Sequence, residues 1–174
     1  MTNTTIGHAD ALRAEFDRAF AEAPTGAHAE QVDLLAVRLG GDPFAIRLSD
    51  TSGLYSDRRL TPVPSAHREF RGMAGVRGAL VPVYDLAAAM GYPPGNTLRW
   101  LVIAREALVG FAFDQFDGQL RIDRTAVLAH ESTSREHVHE VARSADVSYP
   151  IVHLPSLIAV IGKRTSDTQS RREA

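Results

Sequence analysis

Apolar residues in this chain come in short runs, and each run is cut off by glycine, proline or an Asp-Gly type pair before it could complete a long helix. Leu34, Leu35, Val37 and Leu39 form one run and Gly40-Gly41-Asp42-Pro43 ends it. Phe44, Ile46 and Leu48 then alternate with Ala45 and Arg47, the period-two pattern of a half-buried strand, so residues 34–48 read as a hairpin. Residues 72–84 (GMAGVRGALVPVY) read as two short strands around a tight turn at Arg77-Gly78. Residues 98–104 and 108–113 form a second hairpin-like pair, and Leu120 with Ile122 continues into another strand. Val138–Val141 and Pro150–Leu154 suggest two final strands. Turns recurring about every 8–12 residues point to a mainly β barrel or sandwich and exclude the alternating βαβ pattern of a parallel sheet.

Few helices are expected. Asp85 is placed to cap a short helix over 86–90, because its carboxylate can accept a free backbone N–H of the first turn, and Gly91 with Pro93-Pro94 ends it. Pro155–Ile161 suggests a closing helix. Leu12, Phe16, Ala19, Phe20 and Ala23 fall on one stripe of a helix from about Asp10 to Ala23; the readings are a helix that lies against its own domain, a helix that docks on a partner, or a disordered segment. The chain is thus divided into an N-terminal extension (1–30), a β domain (31–162) and a polar, disordered tail (163–174). Ser132–Glu136 reads as a polar loop.

Several function classes are excluded on composition. The chain has no cysteine, which removes disulfides, thiolate zinc sites and cysteine nucleophiles. Its formal net charge is -2 and it has no basic stripe, so no nucleic-acid partner is expected. No apolar run approaches the roughly 18 residues of a membrane span, and the first residues lack the pattern of a secretory signal, so a cytoplasmic protein without membrane insertion is expected.

Catalytic signatures are scarce. Neither a G-x-S-x-G elbow nor an H-E-x-x-H helix is present. Gly72, Gly75 and Gly78 match no phosphate-binding loop and are explained by turns and close strand packing. His137 and His139 could place two imidazoles on one strand face, but a zinc site needs three or four ligands with further support. Asp114 and Asp117 stand around an Asp-Gly turn pair, and His67 reads as a loop residue. Neither a catalytic residue nor a cofactor or metal is assigned, and the chain is expected not to be an enzyme. A small-molecule-binding or catalytic barrel remains as a rival class; a polar pocket with clustered titratable groups would favour it.

Residues Gly72–Leu86 resemble the central signature of the CheW-type coupling proteins of bacterial chemosensory arrays, G-x-x-N-x-R-G-x-x-x-P-V-x-D-L in loose form. Arg77, Gly78, Pro82, Val83, Asp85 and Leu86 match in order and spacing. The opening LLAVRLGGDPFAIRL, Pro62-Val63-Pro64, the segment RWLVIAREALVGFAFDQFDGQLRI with Phe113-Asp114, and the closing YPIVHLPSLIAVIG resemble the family's flanking segments, over about 130 residues in all. The resemblance implies two small SH3-like five-stranded barrels packed side by side with an apolar groove between them. It also implies a non-enzymatic adaptor that links a methyl-accepting chemoreceptor to a CheA-type histidine kinase and associates with other CheW-like domains. Three departures stand out. Gly75 replaces the usual asparagine, and His153-Leu154 replaces a closing aspartate-leucine. Thr51-Ser52-Gly53-Leu54 lacks the acid with which the signature arginine would pair on a short helix after the first hairpin. A CheW-fold module serving a different signalling pathway is therefore kept as an alternative. Arg77, Gly78, Val76, Leu54 and Tyr55 are the candidate partner-binding residues, with Leu54 and Tyr55 placed on that short helix; Arg77 either reaches a partner or braces its own turn.

Overall fold

Side chains that alternate between two apolar cores decide this architecture. A computed structural model describes residues 30–95, 97–130 and 136–170, with side chains up to residue 164. The helix expected over 10–23 and most of the expected polar loop lie outside the described residues.

The strands are β1 (Gln31–Leu39), β2 (Asp42–Arg47), β3 (Thr51–Ser56), β4 (Leu60–Thr61), β5 (Phe70–Val76), β6 (Ala79–Asp85), β7 (Trp100–Ala104), β8 (Gly110–Phe113), β9 (Gln115–Asp123), β10 (Val127–Ala129), β11 (Val138–Ser144) and β12 (Val147–Val152). The helices are α1 (Leu86–Ala89) and α2 (Leu154–Ser170). One sheet has the order β10-β11-β12-β2-β1-β9 and the other β3-β7-β8-β6-β5-β4. Each sheet thus has five longer strands and one short edge strand, in the pattern of the two SH3-like subdomains that were expected. The second subdomain is inserted whole: the chain leaves the first sheet after β2, builds β3 to β8, and returns through β9 to pair with β1.

Each sheet has its own small core, and the two share a larger one. Ala74, Val76, Val81, Val83, Leu101, Ile103 and Ala112 fill the second subdomain. Leu34, Ala45, Ile122, Ala142 and Ile151 fill the first. Between them, Leu35, Val37, Leu39, Phe44 and Ile46 from one sheet meet Tyr84, Val102, Phe111 and Phe113 from the other, closed off by Leu154, Leu157 and Ile161 of α2. The strand read as half-buried is therefore buried on both faces: Phe44 and Ile46 face the shared core while Ala45 faces the small one. Trp100 of β7 meets Phe116 of β9 across the seam, ring centroids 5.1 Å apart.

The two subdomains repeat one motif. Residues 69–86 correspond to 137–154 at one constant spacing. Asp85 N–H donates to the Glu69 carbonyl, and His153 N–H donates to the His137 carbonyl. Both hairpins carry a register shift after their first pair, between Phe70 and Gly72 and between Val138 and Glu140. Both turn through a residue of positive φ, Arg77 at 49° and Ala145 at 50°. β6 pairs in parallel with β8 as β12 does with β2, and each then runs into a helix, at Leu86 and at Leu154. At the first bulge Gly72 has φ 122°, and a Cβ there would lie 2.2 Å from the Thr61 carbonyl oxygen, so only glycine lets β4 close on β5.

Two expectations are corrected. The short helix carrying Leu54 and Tyr55 is a strand, β3, whose residues pair with β7; the only turn of helix there is 3₁₀, Leu48–Asp50, before it. Thr51 and Gly53 disfavour helix, and pairing with β7 supplies the backbone hydrogen bonds that a helix would have made. The closing helix also does not stop at Ile161: α2 continues to Ser170, through residues expected to be a disordered tail.

Phe111→Ala should cost about 3–5 kcal/mol, because it empties the shared core from its centre. Chemical denaturation followed by Trp100 fluorescence and by far-ultraviolet circular dichroism should give one coincident transition at a lower midpoint. Two separate transitions would mean that the subdomains hold together without the shared core.

Candidate functional site

The signature segment folds as the β5–β6 hairpin, closed by Arg77-Gly78 with φ of 49° and 81°. Positive φ at both central residues is what a type I′ turn requires, and the twist of such a turn matches that of the flanking strands. Gly78 meets this requirement without strain, whereas Arg77 holds a conformation that costs a residue with a Cβ about 1 kcal/mol. Its side chain is exposed, and among the described residues its guanidinium has no hydrogen bond or ion pair. The expected acid is absent from residues 51–54, and among the described residues no other carboxylate pairs with Arg77.

The other candidates divide. Val76, expected among the partner-binding residues, is only 5% exposed and lies in the second subdomain's core, where it supports the turn from inside. On β3, Leu54 packs at the margin of the shared core and Tyr55 at that of the small one, on opposite faces of the strand. Arg58 covers the Tyr55 ring, its guanidinium carbon 4.9 Å from the centroid. Sequence reading missed Leu80, which is 69% exposed three positions after Arg77. Alternation with the buried Val81 and Val83 was enough to place it outward. The hairpin tip thus presents a cation, unpaired among the described residues, beside an exposed leucine.

Asp85 fixes the base of this hairpin. It is fully buried; one carboxylate oxygen accepts from Ala88 N–H at 3.1 Å and the other from Gly95 N–H at 2.9 Å. Arg71 stands 3.9 Å from that second oxygen. The cap expected for α1 is therefore formed, and it also pins the loop after the helix.

The histidines behave differently from expectation. His137 is buried and precedes β11, whereas His139 is exposed and stacks on His153, ring centroids 4.6 Å apart. They do not share a strand face as a ligand pair. Among the described residues no group of three or more His, Cys, Asp or Glu is placed to hold a metal. Asp117 pairs with Arg38 at 2.8 Å on the surface, which accounts for it as a strand-edge residue. No helix among the described residues is long and apolar enough to cross a membrane.

The CheW-like domain model matches residues 33–162, which takes in both subdomains. The chain belongs to the CheW-like family. It is 25% identical over 115 residues to a probable chemotaxis protein CheW of Rhizobium etli, covering 64% of this chain and 74% of that protein. It is 25% identical over 96 residues to the chemotaxis protein CheW of Thermotoga maritima, covering 53% of this chain and 64% of that protein, just under two thirds of its length. The scaffolding protein TtCheW of Thermoanaerobacter tengcongensis has the same fold: TM-score 0.63, 18% identity, 71% of this chain and 89% of that one.

Arg77→Asn should leave thermal stability unchanged or raise it by up to about 1 kcal/mol, since asparagine tolerates the left-handed conformation better. A loss of more than 1 kcal/mol in calorimetry would show that the Arg77 side chain braces its own turn.

Proposed function

We propose that this chain is a non-enzymatic scaffold that couples methyl-accepting chemoreceptors to a CheA-type histidine kinase. On this reading it works in the cytoplasm, is recruited to receptor arrays at the membrane, and also associates with other CheW-like domains. Membership of the CheW-like family supports the reading, as do the names of the chemotaxis relatives. The observation that carries it is the hairpin tip, where a strained, exposed Arg77, without a partner among the described residues, stands beside an exposed Leu80.

The physics of the tip suits a docking contact. A guanidinium forks two hydrogen bonds onto a carboxylate, and an adjacent leucine excludes water from them. The rigid two-residue turn fixes the direction of approach, so little ordering entropy is lost on binding. Gly78 allows that turn, while Leu54 and Tyr55 on β3 are the remaining contact candidates, at the margins of the two cores. A scaffold of this kind changes kinase output only through unequal affinity for the kinase's active and inactive states. The missing acid in 51–54 leaves Arg77 available to a partner's carboxylate.

Pull-down of the full chain with kinase and receptor fragments should capture both. Arg77→Ala should weaken capture about thirtyfold, equivalent to about 2 kcal/mol, if the guanidinium is desolvated in the complex. Weakening of less than about fivefold would place Arg77 at the rim of the contact. Capture of neither fragment by the folded protein would sink the coupling role and favour a different signalling pathway for this CheW fold.

A further inference from the structure

A polar cleft with clustered titratable groups is present, and the coupling role makes no use of it. It lies between residues 89–92, where α1 ends and the chain turns away, Glu136 and His137 at the foot of β11, and Arg164 of α2. It encloses about 220 Å³. Met90 and Tyr92 supply its apolar wall. Tyr92 is fixed in place, since its hydroxyl donates to Asp42 at 2.9 Å and its ring meets Phe44 edge to face, centroids 5.9 Å apart.

The polar groups of the cleft are set by their neighbours. His137 is only 8% exposed. Ser156 Oγ–H donates to the His153 carbonyl at 2.8 Å, so Ser156 Oγ is left to accept from His137 Nδ1–H at 2.9 Å. That fixes the tautomer: the proton sits on Nδ1, and Nε2 carries a lone pair. Burial, the largest influence on this ring, holds its pKa below the ordinary value, so it is neutral at neutral pH. Among the described residues Nε2 has no hydrogen-bond partner, and it is not sealed from solvent, so its lone pair opens into the cleft. Glu136 is exposed and has no ion pair among the described residues. Arg164 is held by the buried Glu69 at 2.9 Å. Those two charges cancel, and Glu136 sets the charge of the cleft.

We propose that this cleft binds a primary ammonium group on a short alkyl chain, with Glu136 as its counter-charge and His137 Nε2 as a directed acceptor. An ammonium has three donors and no acceptor, and both groups can only accept from it. An anion would meet a carboxylate and a lone pair, neither of which can donate to it. A metal ion would need further ligands, and among the described residues no group of three or more His, Cys, Asp or Glu supplies them. The alkyl chain would lie on Met90 and Tyr92. Sites for drug-sized molecules run to roughly 300–1,000 Å³, so this cleft selects a small occupant. Because its walls come from the loop after α1 in the inserted subdomain and from β11 and α2 in the other, an occupant would tie the two subdomains together. The inference is independent of the coupling role.

The test is titration of the full chain with n-butylammonium at neutral pH, followed by amide NMR. Shifts should centre on residues 89–92 and 136–138 and saturate with a Kd of about 1 mM, in keeping with so few non-hydrogen atoms. Butyrate, of the same length and opposite charge, should leave those amides unmoved. Glu136→Gln, a change at an exposed position, should weaken binding about tenfold or more and leave the rest of the spectrum in place. Nα-acetyl-lysine amide binding at least as tightly as n-butylammonium would assign the ammonium to a protein side chain, and weaker binding would assign it to a free amine; either result keeps the site. No saturable shift in the cleft, equal binding of butyrate, or unchanged affinity in Glu136→Gln would each overturn the proposal.

Discussion

The shared core between the two sheets is the contact on which everything else here depends. The small cores of the two subdomains are built largely from alanine, valine and isoleucine, and the three fully buried phenylalanines among the described residues all sit between the sheets. At about 25 cal/mol for each Å² withdrawn from water, large aromatic side chains at one seam outweigh scattered valines. This explains why the central strands are apolar on both faces. It also explains why α1 and α2, which start at buried leucines at matching positions, both feed that seam. The hairpin with the signature arginine projects from a body that the seam has already made rigid.

Much of this was legible in the sequence, for identifiable reasons. The turn at Arg77-Gly78 and the cap at Asp85 are local devices, set by residues within a few positions of each other. The outward direction of Leu80 and the inward one of Val76 follow from period-two alternation once the turn is fixed. What failed depended on distant partners. Thr51–Ser56 became a strand because Trp100–Ala104 lies beside it, and the double burial of Ala45 is visible only when the sheet beyond it is present. The very short β4 and β10 carry too few residues for any pattern. The repeat escaped for a different reason. Of the stretch Pro82-Val83-Tyr84-Asp85-Leu86, only proline and leucine recur in Pro150-Ile151-Val152-His153-Leu154, so the backbone kept a likeness that the side chains had lost.

That divergence is itself instructive. Equivalent backbone positions demand a polar side chain at the helix start and another at the bulge opposite, and the two copies meet the demand with different chemistry. Glu69 and His137, also equivalent and both buried, each find one partner on α2, Arg164 and Ser156. A buried polar group needs a hydrogen bond and does not dictate which kind. The first copy retained the arginine turn as an exposed feature, whereas the second has Ala145 at the same φ, with no long side chain to offer. The fold is thus close to symmetric while its surface chemistry is not, which gives a scaffold two distinguishable ends.

The insertion of one subdomain into the other has a consequence for the order in which the chain can assemble. All strands of the second sheet lie between Thr51 and Phe113, so its pairings close short loops. The first sheet cannot be completed until β9 reaches β1, a meeting that joins Arg121 to Asp33 across 88 positions. Loop-closure entropy makes that step the costly one for a free chain, and a preformed β3–β8 unit shortens the effective loop by bringing its own ends together. During synthesis, β1 and β2 emerge first and must wait, with an unpaired edge, for the inserted subdomain to fold. The late docking of β9 then seals the seam, so the rate at which the inserted unit forms governs how long that edge stays open to another chain.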